Sequence, residues 1–254
     1  MNTINLDSLT SPEVKSLCLS NDVDVILPLG AIEQHGPHLP LNVDVLIAEK
    51  VAELVASELV KHGLKIVVAP TFVYGDSSHH LGFAGTMSLH NESLVSSLRD
   101  LCHSILKSGF RRIYLLTGHA GNCDAMNQIE NEFGKSQIIA VADWPSIRGK
   151  LHNAATEKLS LLPEVVGTHA GHFETSIMML ISPDKVRQNL IEVGVIGNPA
   201  DIGAKLRSLG MQRVSENGVI GDPRSSSASA GKIYLDTLVD LHVEVILLQS
   251  RERV

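Results

Sequence analysis

A chain of 254 residues, 44% hydrophobic and 19% charged, can bury a sizeable core, which excludes a disordered or low-complexity protein and makes one α/β domain over residues 1–254 the expectation. A formal charge of −7 without any long basic run argues against nucleic acid as a partner, and no apolar run approaches the roughly 20 residues that span a bilayer. Cys18, Cys102 and Cys123 are widely spaced with no CxxC pair, and the first residues show neither a basic start nor an apolar core, so a reducing, cytoplasmic setting is expected.

In chain order, Val23 to Leu29 is the first strand-like apolar run, and it leads into a dense polar segment carrying Glu33, His35, His38 and Asp44. Two carboxylates and two imidazoles make a mixed nitrogen and oxygen donor set that suits zinc, manganese, iron or cobalt without thiolates. Gly36, Pro37 and Pro40 stiffen the turn. A polar loop that merely caps a sheet is the plainer alternative for this segment alone. A helix follows over Val45 to Val60, with Asn42 or Asp44 as its cap.

Leu64 to Ala69 predicts a second strand, with a polar stretch over 71–88 at its exit that includes Tyr74, Asp76, Ser77, Ser78, His79 and His80. Asp76 and His79 are read as solvated. A helix over Ser93 to Ser108 precedes a third strand, Arg112 to Leu116, which ends in Thr117-Gly118-His119-Ala120-Gly121-Asn122. A histidine between glycines can approach a metal closely, although a structural turn with a hydrogen-bonded His119 fits the same letters. A phosphate cradle is disfavoured, since neither GxxxxGK nor GxGxxG occurs.

A helix over Ala125 to Phe133 and a strand over Gln137 to Ala142 complete a repeated strand and helix alternation. That alternation predicts a three-layer α/β/α architecture with a mostly parallel central sheet and ligands beyond the carboxyl ends of its strands. Segment 160–175 breaks the pattern and is polar and Gly-rich before Ile177 to Ile181. There Glu174 abuts an apolar run, where an unpaired carboxylate is costly, so it needs a cation. His169 and His172 lie within reach as ligands or proton-transfer groups, and Phe173 beside His172 favours a packing role for the latter. Helices over Ala200 to Leu209 and Ala230 to Gln249 close the chain.

Four ordered motifs now stand together: Leu27-Pro28-Leu29-Gly30-Ala31-Ile32-Glu33-Gln34-His35-Gly36-Pro37-His38-Leu39-Pro40-Leu41-Asn42-Val43-Asp44; Tyr74-Gly75 with Phe83-Ala84-Gly85-Thr86; Gly118-His119-Ala120-Gly121-Asn122; and His169-Ala170-Gly171-His172-Phe173-Glu174-Thr175-Ser176. Over about residues 20 to 235 they resemble the creatininase (creatinine amidohydrolase) family, and Gly221-Asp222-Pro223-Arg224 is similar to it too. The resemblance implies a hydrolase that opens a cyclic or formyl amide carbon–nitrogen bond with two divalent metal ions per chain, zinc first and manganese or iron as alternatives. It implies that Glu33, Asp44 and His119 hold one ion, that His35 holds the other, and that Asp44 bridges them. His169 matches the family's catalytic histidine, expected to protonate the departing nitrogen.

Departures bear on the substrate. Creatininase proper carries Tyr-Glu after the motif histidine, its Glu a metal ligand, where this chain has Ala120-Gly121; Glu174 is the expected replacement and so joins His169 in the catalytic centre. Val165 stands where creatininase proper has a pocket tryptophan, while Trp144 matches another, which makes creatinine a poor fit. Ser78, His80 and Trp144 are expected to contact substrate. A deformylase of flavin and deazaflavin precursor synthesis and a peptidase of mycofactocin maturation share the Gly-His-x-Gly-Asn form. The expectation is therefore a metal-dependent amidohydrolase of a small-molecule amide, with a cofactor-maturation peptidase or deformylase, or a non-catalytic metal-containing binding protein, as alternatives. A dinuclear phosphatase would add basic residues that these clusters lack. The family also implies a homo-oligomer, a hexamer.

Overall fold

A computed structural model describes residues 4–251 of the chain. In order the elements are β1 (Ile4–Asn5), α1 (Ser11–Leu17), β2 (Val23–Leu29), α2 (Val43–Lys61), β3 (Lys65–Val68), α3 (Asn91–Lys107), β4 (Arg112–Thr117), α4 (Cys123–Phe133), β5 (Ile138–Ala140), α5 (Trp144–Leu159), α6 (Pro163–Val166), α7 (His172–Ile181), α8 (Pro199–Leu209), α9 (Met211–Val214) and α10 (Ala228–Arg251). The strands form one sheet in the order β1-β3-β2-β4-β5. Every pairing is parallel, with Val25 of β2 opposite both Val67 and Ile113, so the expected α/β sandwich is the observed one.

The strand β2 is buried along its whole length because both of its faces are covered. Ile26 joins Tyr114 and Leu116 of β4 in one apolar layer with α2, α5, α7 and α10. Val25, Leu27 and Leu29 face the other way, into a layer completed by Leu94 and Leu98 of α3 and Met126 and Ile129 of α4. The period-2 alternation of side chains thus places one row of β2 in each core. From β2 the chain crosses to β3 on one side, and β4 then pairs on the other side of β2. Ligands favour the crevice at the strand carboxyl ends where such an order reverses.

The polar segment 160–175, which breaks the alternation, follows no strand: a left-handed turn at Ala170, with φ of 49°, leads into α7, whose first turn carries Glu174. The helix α5 was also not expected from its letters, since Gly149 and Asn153 dilute its apolar pattern. Its start is nonetheless well defined, with Pro145 in the first turn and the Asp143 carboxylate accepting from the Ser146 N–H at 3.2 Å. Packing of α5 against α10 supplies what propensity does not. Among the described residues no helix is long and apolar enough to cross a membrane.

Candidate metal centre

The exits of β2 and β4 and the starts of α2 and α7 bring their polar side chains to one buried place. Glu33 and His35 arrive on the segment after β2, Asp44 in the first turn of α2, His119 directly after β4, and Glu174 in the first turn of α7. All five are almost fully buried. His119 Nδ1 lies 3.3 Å from Glu33 Oε2 and 3.4 Å from Asp44 Oδ2, and His35 Nε2 lies 3.3 Å from Asp44 Oδ1 and 3.8 Å from Glu174 Oε2. Two triads capable of holding an ion result, Glu33, Asp44 and His119, and His35, Asp44 and Glu174, with Asp44 common to both. A third, Glu33, His35 and His169, overlaps them.

The hydrogen bonds fix which imidazole nitrogen faces inward. His35 Nδ1–H donates to the Glu33 carbonyl at 3.1 Å, and His119 Nε2–H donates to the Asp76 carbonyl at 2.9 Å. Each ring therefore turns its second nitrogen toward the carboxylates, which is how metal-binding histidines are oriented by backbone oxygens. His169 is held the same way, its Nε2–H donating to the Gln34 carbonyl at 2.7 Å, with Nδ1 3.5 Å from Glu33 Oε1.

Burial decides the electrostatics. It pushes the Glu33 and Glu174 carboxyls up to about 7, against the pull of the neighbouring His119 and His35. Burial would raise Asp44 as well, but His35 and His119 hold it well below the usual carboxylate range. Both of those imidazoles are penalised by burial, yet the surrounding carboxylates outweigh it and raise His35 to about 9 and His119 to about 10. His169 goes the other way, lowered by burial and by His35. Protons thus stand in for cations among the acids.

The residues fit divalent ions on structural grounds. Glu33 Oε1 and Oε2, His35 Nε2 and Asp44 Oδ2 are buried without a hydrogen-bond partner among the described residues. Polar atoms so placed are costly unless a ligand satisfies them. The donor set is nitrogen and oxygen, which suits zinc, manganese or iron alike.

Two glycines make the convergence possible. A Cβ on Gly118 would run into the Asp44 carbonyl, so only glycine lets α2 start this close to the end of β4. A Cβ on Gly121 would meet both the Asp76 carbonyl and His119 Nε2. Position 121 is closed to a side chain here by the hydrogen bond that orients His119.

The remaining expectations fare differently. His80 is buried in the centre, with Nε2 3.4 Å from Glu33 Oε1, and contacts protein rather than an open surface. Ser78 is exposed, whereas Ser77 beside it is buried, its hydroxyl without a hydrogen-bond partner among the described residues. The 3-10 turn over Ser78–His80 turns Ser78 outward, a one-residue difference that an extended reading of the loop could not resolve. Trp144 is partly buried beside Thr168, the residue before His169. His79, read as solvated, is only partly exposed and stacks on His119 with ring centroids 5.7 Å apart, while Asp76 acts through its carbonyl. His38 is buried and bonded to Thr175 Oγ1 at 2.8 Å, and His172 is held by the Tyr234 hydroxyl at 2.9 Å, both packing positions.

Two residues that the letters did not single out tie the centre together. The Asn122 amide donates to the Gly30 carbonyl at 3.0 Å and accepts from the Asp76 N–H at 3.1 Å, so it joins the β2, β3 and β4 exits. The Gln34 carboxamide is a second clamp. Its Oε1 accepts from the Gly36 N–H at 2.9 Å, which turns Nε2 toward His80 Nδ1 at 2.9 Å and the Gly218 carbonyl at 3.2 Å. His80 Nδ1 is then an acceptor, and its proton sits on Nε2, facing Glu33. An amide between two ligand candidates in a histidine-rich chain was the available signal.

A cavity of about 490 Å³ lies away from this chemistry, lined by Asn5, Asp7, Glu49, Lys50 and Thr71 among others, and contains none of the triads.

Residues 7–246 match the family model described as Creatininase: Creatinine amidohydrolase. The chain belongs to the creatininase family. A mycofactocin precursor peptide peptidase of Mycolicibacterium smegmatis is 36% identical over 217 residues, 85% of this chain and 81% of that protein. A creatinine amidohydrolase of Pseudomonas putida is 29% identical over 200 residues, 72% of this chain and 74% of that one. Among solved structures, a creatininase variant of Zn-Zn type superposes with a TM-score of 0.76 at 23% identity, covering 97% of this chain and 98% of that one, and so shares the fold. As a member of this family the chain is an enzyme, a hydrolase of carbon–nitrogen bonds.

Proposed function

We propose that this enzyme cleaves an amide bond at a dinuclear metal centre held by Glu33, His35, Asp44, His119 and Glu174, and that its substrate is a peptide or peptide-like amide rather than creatinine. The carrying observation is the pair of triads that share Asp44, in which Glu33 Oε1 and Oε2, His35 Nε2 and Asp44 Oδ2 are buried without a hydrogen-bond partner among the described residues. When bound, two divalent ions would polarise the scissile carbonyl and lower the pKa of an attacking water.

The protein's own groups account for the rest. His35 and His119 each commit one N–H to a backbone carbonyl and turn the other nitrogen inward, which suits them to the ligand role once a metal ion displaces the inward proton. His169 presents a bare Nδ1 beside Glu33, low in basicity until charge develops nearby, and is positioned to take a proton and hand it to the departing nitrogen. His80, clamped by Gln34, points Nε2–H at Glu33 and steadies that carboxylate.

Three observations support a peptide-like substrate. The peptidase relative covers more of this chain at higher identity than the creatinine amidohydrolase does. Gly121 replaces the ligand glutamate of creatininase proper, with no room for a side chain. Leu41, Tyr74, Leu81 and Met87 are exposed apolar side chains on the loops that carry the centre, a surface that suits an extended, partly apolar ligand. Protein purified without chelator and loaded in turn with zinc, manganese and iron should hydrolyse short peptides faster than creatinine or formamido compounds. Absence of bound metal, or turnover of creatinine alone, overturns the proposal.

A further inference from the structure

His38 belongs to none of the ion triads, yet hydrogen bonds lead from its ring to one of their carboxylates. Its Nε2 lies 2.8 Å from the Thr175 hydroxyl, and that hydroxyl donates to the Ala170 carbonyl at 3.3 Å. A hydroxyl has one proton to give, so the first bond runs from the His38 Nε2–H to Thr175 Oγ1. Ala170 is buried, with a φ of 49° that residues other than glycine keep only where their surroundings impose it. Both sides of the residue are held: its carbonyl accepts from Thr175, and its N–H donates to Glu174 Oε2 at 2.5 Å. That same oxygen faces His35 Nε2 at 3.8 Å in the triad of His35, Asp44 and Glu174.

The two ends of this relay belong to one ion site. His38 stands three residues after His35 on the same loop, and Thr175 directly follows Glu174 on α7. His35 and Glu174 are also the two members of their triad that the triad of Glu33, Asp44 and His119 does not share. Around that other triad the anchors are different: the Asp76 carbonyl holds His119, and the Glu33 N–H donates to the Leu41 carbonyl at 3.0 Å. The His38 end is itself fixed, since the Arg187 N–H donates to the His38 carbonyl at 2.9 Å.

We propose that His38 is a positioning residue for one of the two ions: through Thr175 and Ala170 it fixes the Glu174 carboxylate, and so sets the affinity of the His35, Asp44 and Glu174 site separately from that of the Glu33, Asp44 and His119 site. Without the relay the Thr175 hydroxyl is free to rotate, the buried Ala170 carbonyl loses a partner, and nothing on that side opposes relaxation of the left-handed turn. The Ala170 N–H then no longer holds Glu174 Oε2 toward His35. Groups that orient ligands in this way typically change metal affinity by about 10–100-fold. This inference rests on the dinuclear reading above, and its test reads metal binding rather than turnover.

The full chain, stripped with chelator, is titrated with zinc by calorimetry, and bound zinc is counted after dialysis. The parent should take up two ions. Thr175→Val keeps the shape of the side chain without its hydroxyl, and should bind one ion as the parent does and the other about 10–100-fold more weakly. Thr175→Ser should restore the second ion. His38→Leu should match Thr175→Val, and His38→Gln, which keeps a donor, should retain both ions. Combining His38→Leu with Thr175→Val should weaken the site no more than either change alone, as expected of groups that act through one path. Two parent-like affinities in Thr175→Val overturn the inference. So does equal weakening of both ions, or a Thr175→Ser variant that behaves like Thr175→Val, since either assigns Thr175 to general packing. A parent that takes up fewer than two ions overturns the dinuclear reading itself and this inference with it. Should His38→Leu fold poorly, the contrast between Thr175→Val and Thr175→Ser decides alone.

Discussion

The His119 imidazole donates its Nε2–H to the backbone carbonyl of Asp76 at 2.9 Å, and this bond passes through the space that a side chain at position 121 would fill. A side chain at position 121 and this hydrogen bond are therefore mutually exclusive in the present backbone. Gly121→Ala should break or stretch the bond, and overpacking of this kind costs about 1–3 kcal/mol. Thermal unfolding of the metal-loaded variant should fall accordingly. Gly121→Glu should lose metal affinity without gaining creatinine hydrolysis, measured by metal titration and by product assay. A glutamate variant that binds metal more tightly would show that the loop yields instead.

Sharing of Asp44 has a stoichiometric consequence. Its Oδ1 faces His35 and its Oδ2 faces His119, whereas Glu174 belongs to the His35 triad alone. Asp44→Ala should therefore lose both ions, and Glu174→Ala should lose one of about two, as expected for a two-metal site. Elemental analysis of the dialysed variants distinguishes these outcomes. Equal losses in the two variants would mean that the ions do not share a bridging carboxylate.

His242, on α10, offers a pH handle far along the chain from the ligand residues. Burial lowers it to about 4, its Nδ1–H donates to the Leu238 carbonyl, and Nε2 is buried without a partner. An unfolded histidine titrates near about 6.5. The folded form resists protonation, so the unfolded state binds more protons between these values, and stability falls as pH drops through that window. The loss amounts to roughly 3 kcal/mol at 1.36 kcal/mol per pKa unit. Urea unfolding from pH 7 to 4 should show a flatter profile for His242→Phe than for the parent. Parallel profiles would place the proton uptake elsewhere.

Much of this was legible because periodicity and donor chemistry are local properties. The strand Val23–Leu29 and the helices that follow it read directly from apolar spacing, and Glu33, His35, Asp44, His119 and Glu174 stood out as donors at element ends. What the letters could not carry was three-dimensional. Ser77 rather than Ser78 is buried because of one 3-10 turn, the Asp76 contribution is a backbone carbonyl that no side chain announces, and Asn122 works by joining three loops from distant segments. The helix α5 escaped notice because its stability comes from packing against α10 rather than from its own composition.

His169 has a geometry that separates chemistry from metal retention. Its Nε2–H is committed to the Gln34 carbonyl, and only Nδ1 remains available on the side of Glu33. His169→Ala should keep its metal, because Glu33, Asp44, His119, His35 and Glu174 are untouched, while kcat falls by about 10²–10⁴, the usual worth of a general acid or base. Metal analysis and steady-state kinetics on the same preparation read both. Loss of one ion together with activity would instead make His169 a ligand, as the Glu33, His35 and His169 triad permits.

Gln34 makes the most specific claim on tautomers. Because its Oε1 is held by the Gly36 N–H, its Nε2 must donate, and His80 Nδ1 can only accept. The His80 proton is thereby placed on Nε2, toward Glu33, and burial keeps the ring neutral with its basicity well below the ordinary value. Gln34→Leu removes the clamp while leaving every ligand in place. Metal affinity or kcat/KM should drop by about 10–100-fold, the usual effect of losing a partner that orients a ligand. Nitrogen chemical shifts of ¹⁵N-labelled histidine should report an Nε2–H tautomer for His80 in the parent and a mixture in the variant. A His80 that carries its proton on Nδ1 in the parent is incompatible with the Gln34 clamp.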